Sequence, residues 1–206
     1  MDDFLKRYPI LSATATGIRQ ATTMLVQGFR MGNKLLLCGN GGSCADCEHI
    51  VGELMKGFLL KRALSSEQKQ RMKQLCPQLD EKYLDRLQQA VPAIALPSFT
   101  ALNTATCNDV DPELVFAQAL MGLGKKDDLL LCISTSGNST NVVAAALVAK
   151  ALGLKVIGLT GQMGGRLRDI CDVCICVPAM ETVQVQELHL PIYHYLCAQI
   201  EAQLFT

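Results

Sequence analysis

The chain has 206 residues, half of them hydrophobic, with 19 Lys plus Arg against 19 Asp plus Glu. That length and apolar content suffice for one sizeable core, so a single domain over 1–206 is expected. A formal charge of zero gives no electrostatic case for nucleic acid or an anionic membrane as a partner. No run of eighteen apolar residues occurs, so no membrane span is expected.

The opening, MDDFLKRYPILSATATGIRQ, is acidic and then amphipathic, not basic and then apolar, so no signal peptide is expected. Ten cysteines are present. An oxidised secreted scaffold would be smaller and richer in loops. Cys38, Cys132 and Cys176 instead lie in apolar, strand-like runs, where a thiol behaves as a small hydrophobe. This reads as a reduced, cytoplasmic protein. Two C-x-x-C pairs, Cys44/Cys47 and Cys171/Cys174, stand more than a hundred residues apart, whereas a zinc ribbon needs about 15–20. Neither a cysteine zinc site nor a redox pair is expected.

In chain order, residues 1–32 read as helix, with Ile18, Ala21, Leu25 and Phe29 on one face. KLLLCG (34–39) reads as a buried strand, and 43–57 as a helix. Residues 60–90 are charged and helix-prone, and read as a helical hairpin inserted into the rhythm. Ser65 with Gln68 resembles a capping box, and Asp80 starts a second helix after Pro77. VPAIALP (91–97) is the second strand. PELVFAQALMGLG (112–124) is a helix opened by proline and stopped by glycine. DLLLCIS (128–134) is a strand, NVVAAALVAKALG (141–153) a helix, and KVIGLTG (155–161) and VCICVP (173–178) are strands. A last helix runs from about Val183 to Leu204. Five unbroken apolar strands alternating with helices predict a doubly wound α/β domain, its parallel sheet covered on both faces.

Two polar loops follow strands and open helices: GNGGS (39–43) and STSGNS (134–139). Helix N-termini carry unpaired N–H groups and partial positive charge. Ser134, Thr135, Ser136 and Ser139 add hydroxyl donors without adding charge, which suits a phosphate monoester. In an open parallel sheet both loops share a crevice if their strands are neighbours. Neither is a Walker A motif or a G-x-G-x-x-G pattern. His49 and Glu53, four apart, share a helix face. VQELHLPIYHYL (185–196) sets Gln186, His189 and His194 on the last helix. A carboxylate with an imidazole is equipped for moving protons at carbon, and His, His, Glu and Gln could equally bind zinc.

CGNGGSCADCEHIVGEL, CND (107–109), ISTSGNSTNVV and VQELHLPIYH occur in the order found in sugar isomerase (SIS) domains. The chain most resembles the phosphoheptose isomerase branch, over nearly its whole length outside the insertion. The resemblance implies a five-stranded sheet of flavodoxin-like order and a homotetramer with active sites between subunits. It implies aldose–ketose isomerisation of a phosphorylated sugar, sedoheptulose 7-phosphate, through a cis-enediol. By the same resemblance Ser134, Thr135, Ser136 and Ser139 hold the phosphate with Ser43 assisting. Asn40, Gly41, Gly42, Asn108 and Asp109 contact the sugar, as does Gln186. Glu53 and His194 form the acid/base pair, and zinc is held at His49, Glu53, Gln186 and His194. Three departures stand out. Val183 occupies a position where the family has aspartate, Pro191 interrupts the last helix, and the insertion at 60–90 is unusual. The competing reading is a non-catalytic phosphosugar-binding module that regulates a partner such as the replication initiator. The presence of both Glu53 and His194 argues for the enzyme.

Overall fold

Unbroken apolar runs become the strands of the computed structural model, which describes residues 1–205. β1 (Leu35–Gly39), β2 (Ala93–Ala95), β3 (Leu129–Ser134), β4 (Lys155–Thr160) and β5 (Val173–Cys176) form one parallel sheet in the order β2-β1-β3-β4-β5. β1 and β3 are buried along their whole length, as expected of strands covered on both faces. Each fully buried leucine in them contributes about 2 kcal/mol of apolar transfer.

Helices α2 (Ala15–Arg30), α3 (Gly42–Met55) and α10 (Thr182–Phe205) cover one face, packing Ile18, Leu25, Ile50, Tyr193 and Ile200 against Leu35, Leu37 and Ile133. α7 (Val115–Leu123), α8 (Thr140–Ala151) and the short α9 (Leu167–Ile170) cover the other, against Leu36, Cys38 and Cys132. The helices after β1 and β3 therefore leave to opposite faces, and the crevice between them opens beyond the carboxyl ends of neighbouring strands.

Several boundaries differ from the sequence expectation. The N-terminal helix is not continuous over 1–32. It divides into α1 (Asp2–Arg7), a 3-10 turn (Pro9–Thr14) and α2. Pro9 lacks an N–H and drives the preceding residue out of the helical region, and Tyr8 sits at φ −127°. β2 shrinks to three residues, because Pro92 and Pro97 bracket it and cannot donate to a ladder. α6 (Thr100–Asp109) was not expected; only Thr106 of it is buried, so it lacks the apolar stripe that periodicity detects. Pro191 does not interrupt α10, which runs unbroken through it. Pro191, Ile192 and Tyr193 are all buried, and that packing offsets the one lost backbone bond.

The insertion forms α4 (Ser66–Leu75) and α5 (Glu81–Arg86). The Ser65–Gln68 capping box is complete, and Asp80 caps α5 by accepting from the Lys82 N–H at 2.8 Å. Leu84 is buried, whereas α4 buries nothing.

Candidate active site

The glycine loop and the serine loop meet where β1 and β3 end side by side. Gly41, at φ +54°, makes the turn into α3, a conformation that favours glycine. Ser43 is buried in the first helical turn, its N–H donating to the Asn40 carbonyl at 2.9 Å. Asn40 and Asn141 exchange side-chain amide hydrogen bonds, 2.9 Å one way and 3.0 Å the other. That pair ties the first loop to the start of α8.

In the serine loop Gly137 takes φ +68°, which folds 134–139 back over the helix end. The Ser134 and Ser139 hydroxyls lie 3.0 Å apart, and Ser136 Oγ accepts from the Asn138 N–H at 3.1 Å. Ser139 is the N-cap of α8 without spending its side chain on a capping bond. The hydroxyls of this loop and the first amides of α8 therefore gather at one helix N-terminus, where an anion is favoured. A cleft of about 370 Å³ lies beside Asn40, Gly41 and Asn141, with Asn103 and Cys107 of α6 on its far wall. A larger cavity, about 530 Å³, is lined by Arg19, Gln27, Leu129, Lys155 and Val173. It sits at the starting ends of the strands, the wrong end of an open α/β sheet for a ligand.

α3 and α10 run side by side in the same direction, because each follows a strand of a parallel sheet onto the same face. Gln186 packs on Gly42 at their first turns, so closely that any side chain at Gly42 would collide with its amide. Further along, the imidazole of His49 is a hub. Its Nε2 is 3.2 Å from Glu53 Oε1 and 3.5 Å from His194 Nε2. Its Nδ1 is 3.0 Å from the hydroxyl of Tyr193, which in turn bonds to Asp46. Glu53 is largely shielded and also meets Lys56 at 3.3 Å. Burial, then the neighbouring His49, push His194 below the usual histidine range, with Glu53 opposing.

The expected site residues thus fall into groups. Asn40, Gly41, Gly42, Ser43 and Gln186 gather at the glycine loop. Ser134, Thr135, Ser136 and Ser139 form the adjoining serine loop. His49, Glu53 and His194 stand about two turns further along α3 and α10. Asn108 and Asp109 lie at the exposed end of α6, bonded to each other at 2.7 Å. Among the described residues no three His, Cys, Asp or Glu side chains close on one point as a metal site. The Gln186 amide lies against Gly42 at the glycine loop, on the same helix as His194.

The SIS domain family matches residues 7–95 and 88–161. The phosphoheptose isomerase of a Nitratiruptor species is 40% identical over 184 residues, covering 89% of this chain and 84% of that protein. That of Aneurinibacillus thermoaerophilus is 37% identical over 188 residues, covering 91% and 82%. The solved structure of a phosphoheptose isomerase from Francisella tularensis superposes with a TM-score of 0.78 at 31% identity, covering 95% of this chain and 91% of that one. The chain belongs to the SIS-domain phosphoheptose isomerase family.

Within this phosphoheptose isomerase fold, four residues near the site carry no sequence signal of their own. Tyr193 and Asp46 orient His49, yet at their helical spacing they pass for ordinary core and surface residues. Asn141 reads as the first turn of a helix. Arg62 is the fourth. It is fully buried and donates to the carbonyls of Glu53 and Leu54, each at 2.7 Å, and to Glu201 at 2.7 Å. It therefore fixes the end of α3 directly behind the Glu53 carboxylate.

Proposed function

We propose that the protein is an aldose–ketose isomerase acting on a phosphorylated sugar, sedoheptulose 7-phosphate to D-glycero-D-manno-heptose 7-phosphate. The observation that carries this reading is the spacing along α3. The glycine loop stands at its N-terminus beside the serine loop that opens α8, and His49 begins the acid/base cluster seven residues after Gly42, about 10 Å along the axis. A sugar phosphate whose carbonyl lies at the far end of the carbon chain from its phosphate spans such a distance.

In this mechanism the serine loop and the N-terminus of α8 anchor the phosphate, while Asn40 and Gln186 bond to sugar hydroxyls. Glu53 and His194 then exchange protons. One takes the proton from the carbon beside the carbonyl to give the cis-enediol, and the other moves protons between the two oxygens. Asp46, Tyr193 and His49 hold the cluster in place.

Zinc is proposed as cofactor. Two imidazoles and a carboxylate are the donor set of catalytic zinc sites that keep an open position. The two separations at His49 approach the edge of a zinc tetrahedron, about 3.4 Å for bonds near 2.1 Å, and a bound metal would require the remaining donors to close on the same point. His49, Glu53, Gln186 and His194 are the residues that would hold it. Bound there, zinc would polarise the carbonyl oxygen.

The active form is proposed to be a homotetramer with sites between subunits. Met55 on α3 and Val183 and Leu190 on α10 stand exposed along the helices that carry the site, as residues awaiting cover from a second copy do. The decisive experiment is turnover of sedoheptulose 7-phosphate by the purified protein, with metal content measured on the same preparation. Absence of solvent-hydrogen exchange at the carbon beside the carbonyl would overturn the reading.

A further inference from the structure

Cys171, Cys174 and Cys176 form a cluster of free, half-buried thiols at the β5 edge of the sheet, which the isomerase chemistry does not use. Cys174 and Cys176 point to one side of the strand with their sulfurs 3.7 Å apart. Cys171, the cap of α9, sets its sulfur over the same glycine, Gly158, as the sulfur of Cys174. Room for the sulfurs comes from Gly158 in β4. A side chain there would stand 2.9 Å from the sulfur of Cys174 and 3.0 Å from that of Cys171. The Thr160 hydroxyl lies 3.7 Å from Cys174 and 3.4 Å from Cys176, and the charge of Arg168 acts on both. Donation from Cys171 and these neighbours hold the Cys174 thiol below its ordinary range, while the bond to Cys174 and burial push Cys171 up. Partial exposure, hydrogen-bond donors, a nearby cation and an adjacent second thiol together describe a reactive cysteine and its resolving partner.

The cluster also touches the phosphate loop through a short path. The Cys171 N–H donates to the Leu167 carbonyl at 3.0 Å, and the Leu167 N–H donates to the Gly137 carbonyl at 3.1 Å. The Arg166 N–H holds Asn138 Oδ1 at 2.9 Å, and the Gly161 N–H holds the Thr135 carbonyl at 2.9 Å. Drawing Cys171 onto Cys174 therefore pulls on α9 and on the backbone that shapes the serine loop.

We propose that Cys174 is a peroxide-reactive thiol, that Cys171 resolves it, and that the resulting disulfide weakens phosphate binding at the serine loop. In the first step the Cys174 sulfur attacks an oxygen of a hydroperoxide. The S–O bond forms as the O–O bond breaks, the sulfur gives up two electrons, and the departing oxygen takes a proton to become an alcohol or water. In the second, the Cys171 sulfur attacks the sulfenic sulfur, the S–S bond forms, and the hydroxyl leaves as water with the Cys171 proton. The coupling, though not the thiol chemistry, rests on the serine loop being the phosphate site.

The test treats the reduced full-length protein with hydrogen peroxide, maps disulfides by mass spectrometry without reduction, and titrates inorganic phosphate by calorimetry before and after. The Cys171–Cys174 bond should form before the exposed Cys76 and Cys107 are oxidised. The phosphate Kd should then rise about tenfold, within the usual range of coupling between sites, and dithiothreitol should restore it. Cys171→Ser should instead leave a dimedone-reactive sulfenic acid on Cys174. Should that variant fail to fold, iodoacetamide should still alkylate Cys174 of the wild type faster than Cys76 or Cys107. Earlier oxidation or faster alkylation of Cys76 and Cys107 would overturn the thiol assignment. Disulfide formation with an unchanged phosphate Kd would overturn the coupling. A reduced protein that binds no phosphate would instead remove the serine-loop reading, while the peptide map still judged the thiols.

Discussion

Glu53 is held from three sides: His49 at 3.2 Å, Lys56 at 3.3 Å, and Arg62 bonded to its own carbonyl. Glu53→Gln keeps the shape and loses the base, so turnover should drop by ~10²-fold or more while phosphosugar binding survives on the serine loop. Lost activity with zinc retained assigns proton transfer to the carboxylate; lost activity together with lost zinc assigns the metal. A variant running at the wild-type rate would remove Glu53 from the mechanism.

His189, on the same helix as His194, behaves differently. It is fully buried against β4, near the Thr160 backbone, and neither ring nitrogen makes a hydrogen bond of full geometry. Burial pushes it down to about 4. The unfolded chain takes up this proton near the ordinary histidine value and the folded chain does not. Stability should therefore be intact above about pH 6.5 and fall by about 3 kcal/mol as the pH drops toward 4. Urea unfolding of His189→Leu should show a flatter profile across that window, and a profile as steep as the wild type's would contradict this origin. Of the site residues, the serine loop and the His49–Glu53 pair were legible from residue type and spacing. Tyr193 and Asp46 were not, because their partner lies on another helix and only packing brings them together.

At the scale of elements, the joint between α3, α10 and the insertion depends on one buried ion pair. Glu201 accepts from the N–H groups of Phe58, Leu59 and Leu60 at 2.8, 2.7 and 2.9 Å and from Arg62 at 2.7 Å. Burial works to raise its carboxyl, but these donors outweigh it and hold it below the usual range. Removing one partner strands the other charge, so Arg62→Met should cost about 3–5 kcal/mol. A double Arg62→Met, Glu201→Leu variant should recover part of that loss, although the three N–H groups stay unpaired. Chemical denaturation of the wild type, both single variants and the double measures both effects, and additivity of the two single changes would refute the pairing.

The local signals of the insertion, a capping box and an Asp cap, were readable because they depend on neighbours in sequence. Its anchoring was not. The reach from Arg62 to Glu201 spans 139 residues, and no pattern along the chain records it. α6 escaped for a related reason: a helix with one buried residue has no periodicity to read.

For the whole molecule, alternation of apolar strands and helices was enough to foresee a parallel sheet covered on both faces. It could not order the strands, since short runs of similar composition are interchangeable until their helices choose a face. The β2-β1-β3-β4-β5 order followed from family resemblance. It is this order that sets the glycine and serine loops side by side.

The proposed tetramer belongs to the same scale. Met55, Val183 and Leu190 stand 47%, 67% and 41% exposed on the two site helices, and the proposed contact between copies would cover them. If the site is completed between copies, assembly and activity should fail together. Light scattering at micromolar concentration should give four times the 22.3 kDa chain mass. Val183→Lys sets a charge into the proposed contact and should shift that mass downward, with turnover falling in step. It lies at the first turn of α10, three residues before Gln186, so phosphate affinity should be measured alongside. Reduced mass with unchanged turnover would separate assembly from catalysis. A stable, fully active monomeric wild type would show that one chain suffices.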